Sequence, residues 1–300
     1  MLDRRSHLDA LAAGTMVALC AIWGFNQTAI KVANAGGIPP VMGAGLRSAG
    51  AALLLWAWAA VRGQPLFGRD GTLAAGILAG IGFAAEFLLI YWGLSFTSAS
   101  RGAVFLYMMP FVVALGMHWL VPSERLDRAK AAGLVCAFSG IVAAFAEGLV
   151  LPDGRQWLGD AMLLGAAVMW GGTTLLCRVT SLARVSAAKT LFYQLAVSAL
   201  LLPVLSVALG EPALEPSRLA WASLAFQTLV VAFASYLGWF WLITRYPATK
   251  LSAFSFLTPL FGMGFGALLL GERITPSLML AAALVAAGIW LVNRRPSHTS

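Results

Sequence analysis

Three hundred residues carry a formal net charge of +8, yet only 11% of them are charged and 60% are hydrophobic. Together with a mean hydropathy of +0.84, this composition excludes a soluble globular domain. Nucleic-acid binding is also excluded, because the basic residues stand singly between apolar runs and form no patch. Apolar runs of about 18 or more residues can cross a bilayer core of about 30 Å as helices. The sequence therefore predicts an all-α membrane protein.

Ten predicted helices follow one another along the chain, separated by turns that contain glycine, proline or charged residues. The first apolar run follows a basic start, a pattern that is also typical of a signal peptide. Because the same pattern recurs in mid-chain, where no signal is cleaved, we predict a retained helix. The ten predicted helices cover residues 10–33, 39–61, 72–95, 100–120, 129–147, 158–180, 186–208, 218–243, 249–270 and 277–293.

The second half of the chain repeats the first. Segment 100–125 aligns with segment 249–273, so that Pro110 faces Pro259 and both segments close on the pair Glu-Arg. The resemblance extends upstream, where Trp23-Gly24 aligns with Trp170-Gly171. We therefore interpret the chain as a duplication.

The duplication predicts two repeats, 1–148 and 149–300, of five helices each. An odd number of spans inverts the second repeat relative to the first, an arrangement that recurs in secondary transporters. Of the 20 Lys and Arg residues, fourteen fall in loops on the side of the termini, five fall on the other side, and Arg47 lies within a span. Because basic loops stay in the cytoplasm, we predict cytoplasmic termini and a multi-pass protein of the bacterial inner membrane.

Glu86 is the acid deepest within a predicted span, near the middle of the third helix. A charged side chain at that depth costs about 2.5–3.5 kcal/mol or more, so such residues mark functional sites. Two interpretations stay open: a cavity carboxylate that binds a substrate amine or carries a proton, and a hydrogen-bonded structural acid. In the second repeat, the position that corresponds to Glu86 is occupied by Ser235. Arg47, which faces Gln194, is interpreted as a structural clamp, a snorkelling side chain or a cavity residue.

Polar and aromatic side chains share helix faces near that depth. Trp23 and Asn26 lie on one face of the first helix by their spacing, and Trp170 and Thr173 repeat this face in the sixth. A proline within a span frees a carbonyl one turn back, which suits a gating kink or a static one. We predict gating at Pro110 and Pro259, and a substrate cavity lined by Trp23, Asn26, Phe83, Glu86, Tyr91, Tyr107, Trp170, Thr173, Tyr236, Trp239 and Ser255.

Other functional classes find little support in these residues. An intramembrane enzyme is not predicted, because no Ser/His/Asp or paired-His spacing occurs within the spans. Cys20, Cys136 and Cys177 lie in apolar segments without ligand spacing, and His118 has no second ligand in sequence range. No metal and no cofactor are therefore predicted. A channel would favour a ring of like polar groups along one pore, whereas the asymmetric aromatic lining favours a binding site.

Jointly, several short patterns resemble the EamA family of the drug/metabolite transporter superfamily over nearly the whole chain. The resemblance implies a metabolite exporter that works by alternating access, with two inverted repeats around a central cavity. Within that family the chain is similar to YddG-type exporters, which implies aromatic and other neutral amino acids as substrates. The patterns are Trp23-Gly24 with Lys31, Arg47, Pro110, Pro259, Glu124-Arg125, Gly271-Glu272-Arg273 and the segment from Gly133 to Gly140.

The partners that we predict are a small-molecule substrate, with an amino acid expected, and a lipid bilayer, without nucleic acid and with the protein as a monomer. The second repeat departs from the first, with Gln194 facing Arg47 and Ser235 facing Glu86. A mechanism that needs matched charges in both halves is therefore in doubt. Export of drugs or other metabolites, such as nucleosides and cationic compounds, and a channel-like facilitator remain alternatives.

Overall fold

The computed structural model describes residues 5, 7–146, 149, 154–270 and 276–294, and α-helices dominate them. Pro152-Asp153, near the boundary between the two predicted repeats, and the motif at Gly271-Glu272-Arg273 lie outside the described residues. The helices are α1 (Ala10–Ala35), α2 (Pro40–Val61), α3 (Leu73–Gly93), α4 (Ala99–Leu106), α5 (Met109–Leu120), α6 (Arg128–Ala144), α7 (Gln156–Val179), α8 (Ala187–Ala208), α9 (Arg218–Phe226), α10 (Tyr236–Arg245), α11 (Ala248–Ser252), α12 (Leu257–Leu270) and α13 (Pro276–Asn293).

Shorter helical segments join several of these helices. A π-helix, Gln227–Ser235, links α9 to α10 into one continuous rod. Turns of 3-10 helix follow α5 at Pro122–Glu124, follow α7 at Ser181–Arg184 and join α11 to α12 at Ala253–Phe256.

Eight helical runs of the described chain are long and apolar enough to cross a membrane, which confirms a multi-pass membrane protein. Two of the ten predicted helices are not among them. The predicted helix 129–147 is α6, which has only 17 residues. The predicted helix 249–270 is divided into α11, a 3-10 turn and α12, which has 14 residues. The count of ten therefore stays a prediction.

The two prolines that were predicted to kink their helices lie close to helix starts instead. The predicted helix 100–120 ends once at Leu106 and begins again at Met109, so that Pro110 occupies the first turn of α5. Pro259 likewise lies in the first turn of α12, directly after the 3-10 turn. The physical reason is that first-turn residues have no intrahelical acceptor for their N–H, so that proline loses nothing there.

Helix contacts recur in matched pairs between the two halves of the chain. Helix α2 packs on α8, and α6 packs on α13. Helix α3 packs on α7, while its counterpart, the α9–α10 rod, packs on α1. Helix α5 packs on α7, and its counterpart α12 packs on α1. This set of contacts is unchanged when each helix is exchanged for its counterpart, namely α1 for α7, α2 for α8, α3 for the α9–α10 rod, α5 for α12 and α6 for α13.

Glycine allows the closest of these contacts. A Cβ atom added to Gly133 would stand 2.7 Å from the carbonyl oxygen of Gly288, and one added to Gly140 would stand 2.8 Å from that of Ala281. Real Cβ atoms do not approach backbone so closely, so the backbones of α6 and α13 touch directly. Small residues serve membrane helices in this way because van der Waals packing, rather than water exclusion, holds them together.

The start of α2 is completed by a residue from the other half. Pro39 and Pro40 begin this helix, and Pro39 carries no side chain that can cap it. The carboxylate of Glu211 accepts the N–H groups of Val41 and Met42, each at 3.0 Å. An anion at a helix N-terminus also interacts favourably with the helix dipole.

Two buried ion pairs join the halves at opposite ends of the helices. Arg178, at the end of α7, pairs with Glu124, and its Nη1 also donates to the carbonyl of Ile243 at 2.9 Å. Glu124 accepts the N–H of Thr249 at 3.3 Å. At the other end Arg101 pairs with the carboxylate of Asp160, with Nε to Oδ2 at 3.1 Å.

Candidate functional site

A cavity of about 490 Å³ lies between the two halves, which puts it in the size range of small-molecule sites. Helices α1, α3 and α4 contribute to its wall from the first half, and α7, α8, α10 and α12 contribute from the second. The residues lining it are Trp23, Asn26, Gln27, Thr28, Ile30, Lys31, Phe83, Glu86, Phe87, Ile90, Tyr91, Leu94, Gly102, Ala103, Leu106, Tyr107, Phe145, Leu163, Trp170, Thr173, Thr174, Gln194, Tyr236, Trp239, Phe240, Thr258, Pro259, Gly262 and Met263.

One face of α1 supplies a large share of this wall. The lining residues of α1 recur every three or four positions, which is the repeat of an α-helix. They are Trp23, Asn26, Gln27, Ile30 and Lys31. The predicted face of the first helix is thus the face that the structure turns to the cavity. The side-chain oxygen Oδ1 of Asn26 is buried there and accepts no hydrogen bond from a described residue.

An aromatic cluster centred on Trp23 forms part of the wall. The Trp23 ring meets Trp170 edge-on at 6.3 Å between centroids, Tyr236 at 6.4 Å and Trp239 at 5.8 Å. Tyr107 extends the cluster on the far side of Trp170, at 6.4 Å. Edge-to-face pairs of this kind are each worth about 0.5–1.5 kcal/mol beyond the area that they bury. The cluster is therefore a preformed apolar surface for a ligand.

The indole of Trp23 is fixed by a hydrogen bond to the other half. Its Nε1 donates to the hydroxyl of Ser235 at 2.9 Å, and this hydroxyl donates to the carbonyl of Val231 at 2.6 Å. Both acceptor residues belong to the π-helix. Extended π-helices are rare and occur often at functional sites.

Among the described residues, Glu86 is the only acid that lines the cavity, and 6% of it is exposed. Its carboxylate forms no hydrogen bond and no ion pair with another residue of the described chain. A buried carboxyl without a hydrogen-bond partner is costly, and a ligand that supplies a donor or a cation would relieve that cost. This geometry favours the cavity interpretation of Glu86 over the structural one.

Arg47 lies behind the cavity wall and is fully buried. Its guanidinium carbon stacks over the ring of Phe87, 4.1 Å from the ring centroid, and Phe87 lines the cavity. None of the three guanidinium nitrogens donates a hydrogen bond to a described residue.

Ten of the eleven side chains predicted for the site line this single cavity: Trp23, Asn26, Phe83, Glu86, Tyr91, Tyr107, Trp170, Thr173, Tyr236 and Trp239. Ser255 does not line it. The hydroxyl of Ser255 is fully buried in the 3-10 turn and donates to the carbonyl of Ser252 at 2.7 Å. Of the two predicted gating prolines, Pro259 lines the cavity and Pro110 is buried away from it in α5.

Sequence reasoning missed several lining residues for which a signal was present. Phe87 follows Phe83 by one helical turn, and Lys31 continues the face that starts at Trp23. Gln194 was noted only as the counterpart of Arg47, yet it lines the cavity while Arg47 does not. Among the residues that the structure describes, no group of three or more His, Cys, Asp and Glu side chains stands close enough to hold a metal ion.

Comparison with known proteins agrees with this architecture. The EamA-like transporter family matches residues 10–146 and 157–294. The uncharacterized transporter YoaV of Bacillus subtilis is 26% identical over 92% of this chain and 94% of its own length. The probable amino-acid metabolite efflux pump of Salmonella typhimurium is 28% identical, with 90% of both chains covered. The probable terminal-alkyne amino-acid exporter of Streptantibioticus cattleyicolor is 28% identical over 71% of this chain and 70% of its own.

A solved crystal structure shares the fold, with a TM-score of 0.79 and 20% identity over 94% of both chains. The family match covers both halves of the chain and nearly all of its described helices. The members of this family are membrane transporters and not enzymes. The membrane-spanning helices and the central cavity of this chain agree with that class of protein. The chain belongs to the EamA-like transporter family.

Proposed function

We propose that this protein exports small metabolites, namely aromatic and other neutral amino acids, by alternating access through the central cavity. The observation that carries the proposal is the Glu86 carboxyl, which forms no hydrogen bond or ion pair with a described residue; apart from Lys31, the other described residues of the wall are aromatic, apolar or uncharged polar residues. An amino acid offers an ammonium group for this carboxylate and a side chain for the aromatic cluster. Two relatives whose names specify amino acids as the exported compounds support this choice.

The architecture that we propose has ten helices in two inverted repeats, 1–148 and 149–300. The exchange of helix contacts between the halves supports it, because a two-fold relation between repeats produces matched contact pairs of this kind. The two segments matched by the family, 10–146 and 157–294, fall on either side of the same division.

The topology that we propose places both termini in the cytoplasm of a bacterium and the protein, as a monomer, in its inner membrane. The excess of Lys and Arg in loops on the side of the termini supports this orientation. In this orientation the cavity wall includes Lys31, Leu94 and Gly102 near the outer helix ends. The buried pair of Glu124 and Arg178 then joins the cytoplasmic ends of the helices, and the buried pair of Arg101 and Asp160 joins the outer ends.

Transport into proteoliposomes tests the proposal. Purified protein is reconstituted with internal L-phenylalanine, and the uptake of labelled amino acids is measured against their concentration. We expect saturable counterflow for aromatic and neutral amino acids, with little for nucleosides. Flux that rises linearly with concentration would indicate a channel-like facilitator instead.

A second candidate follows from the same carboxylate. Because Glu86 is the only acid in the wall as far as the structure describes it, the cavity would also suit an organic cation without a carboxylate. Counterflow of phenethylamine but not of phenylalanine would favour this candidate and would contradict amino-acid export.

A further inference from the structure

Two threonines of α7 line the cavity with hydroxyl groups whose protons are already engaged. The hydroxyl of Thr173 lies 2.8 Å from the carbonyl oxygen of Trp170, and that of Thr174 lies 3.0 Å from the same atom. A carbonyl oxygen carries no proton, so both hydroxyls must be the donors of these hydrogen bonds. The lone pairs that remain on the two hydroxyl oxygens can therefore only accept hydrogen bonds from a ligand.

Helix packing places Glu86 at the same part of the wall. Helices α3 and α7 pack together, and a Cβ atom added to Gly82 would stand 2.9 Å from the methyl carbon Cγ2 of Thr173. Farther along, a Cβ atom added to Gly165 would stand 3.3 Å from Leu89. Glu86 follows Gly82 by four residues and precedes Leu89 by three, so all three lie on the face of α3 that contacts α7. The carboxyl is thus one helical turn away from the contact with Thr173.

We propose that Glu86, Thr173 and Thr174 form an acceptor subsite that recognises a primary ammonium group by its N–H donors. A carboxylate, like the two engaged hydroxyls, offers only lone pairs, whereas a primary ammonium has three donors. The site then selects against substrates with a methylated nitrogen, because each methyl group removes a donor and leaves a buried acceptor unpaired. This inference rests on the proposed function and narrows its substrates to those with a primary amine.

The aromatic cluster around Trp23 would give the opposite selectivity if it bound the cation. Rings attract a cation through their faces, and cages of such rings bind quaternary ammonium groups. The Trp23 ring, however, meets three other rings of the wall edge-on. Each of these contacts covers part of one ring face with the edge of another ring, which leaves less of the faces for a cation. The order of affinities along a methylation series therefore distinguishes the two kinds of recognition.

The test is a methylation series on ligands that share one ring. Calorimetry on the purified full-length protein compares L-phenylalanine with its N-methyl derivative, and phenethylamine with its N-methyl and N,N,N-trimethyl derivatives. We expect the affinity to fall about tenfold with the first methyl group and at least about a hundredfold for the trimethyl compound, the scale of one and of several hydrogen bonds to a charged group. An affinity that stays constant or rises with methylation would overturn the inference and would indicate an aromatic cage.

Variants of the two threonines assign the effect to their hydroxyls. Thr173→Val combined with Thr174→Val keeps the shape and removes both oxygens. It should weaken phenethylamine binding about tenfold, the scale of one hydrogen bond to a charged group. The trimethyl compound, which has no N–H donor, should bind as it does to wild type. Thr173→Ser combined with Thr174→Ser keeps the hydroxyls and should keep the preference for the primary amine.

Thr15→Val is the matched control for these variants. The hydroxyl of Thr15 also donates to a carbonyl one turn back, that of Leu11 at 2.7 Å, but Thr15 does not line the cavity. This variant should change neither affinity. Equal losses for the primary and the trimethyl ligand in the double valine variant would make the threonines structural and would overturn the inference. If that variant does not survive purification, the methylation series on wild type decides the question.

The outcomes separate this inference from the proposed function. If wild type binds and transports amino acids but tolerates methylation of their nitrogen, the acceptor subsite is wrong and amino-acid export stands. If wild type binds the amines and no amino acid, and the affinity falls with methylation, the subsite stands and amino-acid export is overturned. If wild type binds no ligand of either series, both proposals fail.

Discussion

The indole Nε1 of Trp23 donates a hydrogen bond of 2.9 Å to the hydroxyl of Ser235, across the boundary between the two halves. Ser235 is the counterpart in the second repeat of Glu86, so the two equivalent positions have opposite roles. Ser235 holds an aromatic ring in place, and Glu86 lines the cavity, where we propose that it binds the substrate. The departure from symmetry therefore separates the apolar part of the site from its charged part.

Ser235→Ala should lower both stability and affinity. The substitution leaves the buried indole N–H without an acceptor, which costs about 1–3 kcal/mol. The Trp23 ring, against which three other aromatic rings pack edge-on, would then lose its fixed orientation. Thermal unfolding in detergent and phenylalanine binding measure the two effects. Ser235→Thr keeps the hydroxyl and is the control, and equal melting temperatures for all three proteins would contradict the role of this bond.

Glu86→Gln distinguishes the two roles of the carboxylate because it keeps the shape and removes the charge. If Glu86 binds the substrate ammonium, amino-acid affinity should fall by about 1.5–3 kcal/mol in uphill transport and in counterflow alike. If Glu86 carries protons, proton-driven uphill transport should be lost while counterflow continues.

The matched control for this variant is Glu215→Gln, which removes an exposed carboxylate outside the cavity. It should leave both assays unchanged. Normal transport by Glu86→Gln in both assays would make Glu86 a structural acid and would remove the charge-based account of the site.

Breaking the pair of Glu124 and Arg178 should open the end of the protein that, in the topology we propose, faces the cytoplasm. Removing one partner of a buried pair costs about 3–5 kcal/mol, because the other charge is left uncompensated. We expect Glu124→Gln to expose Cys20, which is fully buried on α1 between Trp23 and the N-terminal end of that helix. Labelling by a small polar thiol reagent measures this, in a protein whose other two cysteines are replaced by serine.

The pair of Arg101 and Asp160 provides the control for that experiment, since it is equally buried but lies at the opposite ends of the helices. Asp160→Asn should leave Cys20 protected. Reversing the charges by combining Glu124→Arg with Arg178→Glu should restore protection in part. If Cys20 stays unreactive in Glu124→Gln, the pair is not a lock on the cytoplasmic side.

Asp70 should make stability depend on pH in the acid range. Hydrogen bonds from Lys189 and Thr72 lower the pKa of this carboxyl from 3.8 to about 2. A carboxyl whose pKa is lower in the folded state stabilises that state above its ordinary pKa and ceases to do so as the pH falls through the lowered value. The melting temperatures of wild type and Asp70→Asn should therefore differ above about pH 4 and converge towards about pH 2. A constant difference over that range would contradict this assignment.

Much of the site could be predicted because its signals are local. The helical spacing of Trp23 and Asn26 fixes a common face, and the cost of Glu86 in a bilayer makes a cavity the natural place for it. The same reasoning placed Trp170 and Thr173 through the duplication. These inferences need only the period of an α-helix and the depth of a residue within its span.

The features of the site that the sequence did not predict arise where the chain leaves the regular α-helix or where side chains of different helices meet. Ser255 was placed on a continuous helix, but the 3-10 turn there rotates it away from the cavity. Pro110 starts α5 rather than kinking a longer helix, because the chain leaves the helix at Tyr107. The burial of Arg47 depends on the ring of Phe87 from another helix, and a tertiary contact of this kind leaves no periodic signal.

The cap that Glu211 provides for α2 has a consequence for biosynthesis. The acceptor and the N–H of Val41 are separated by 170 residues of chain. At about 5–20 residues per second, Val41 is synthesised roughly 10–30 s before the carboxylate that completes the first turn of α2. During that interval the amides of Val41 and Met42 need water or an insertion factor as their partner. A nascent chain that stops before Glu211 can never supply the missing acceptor itself.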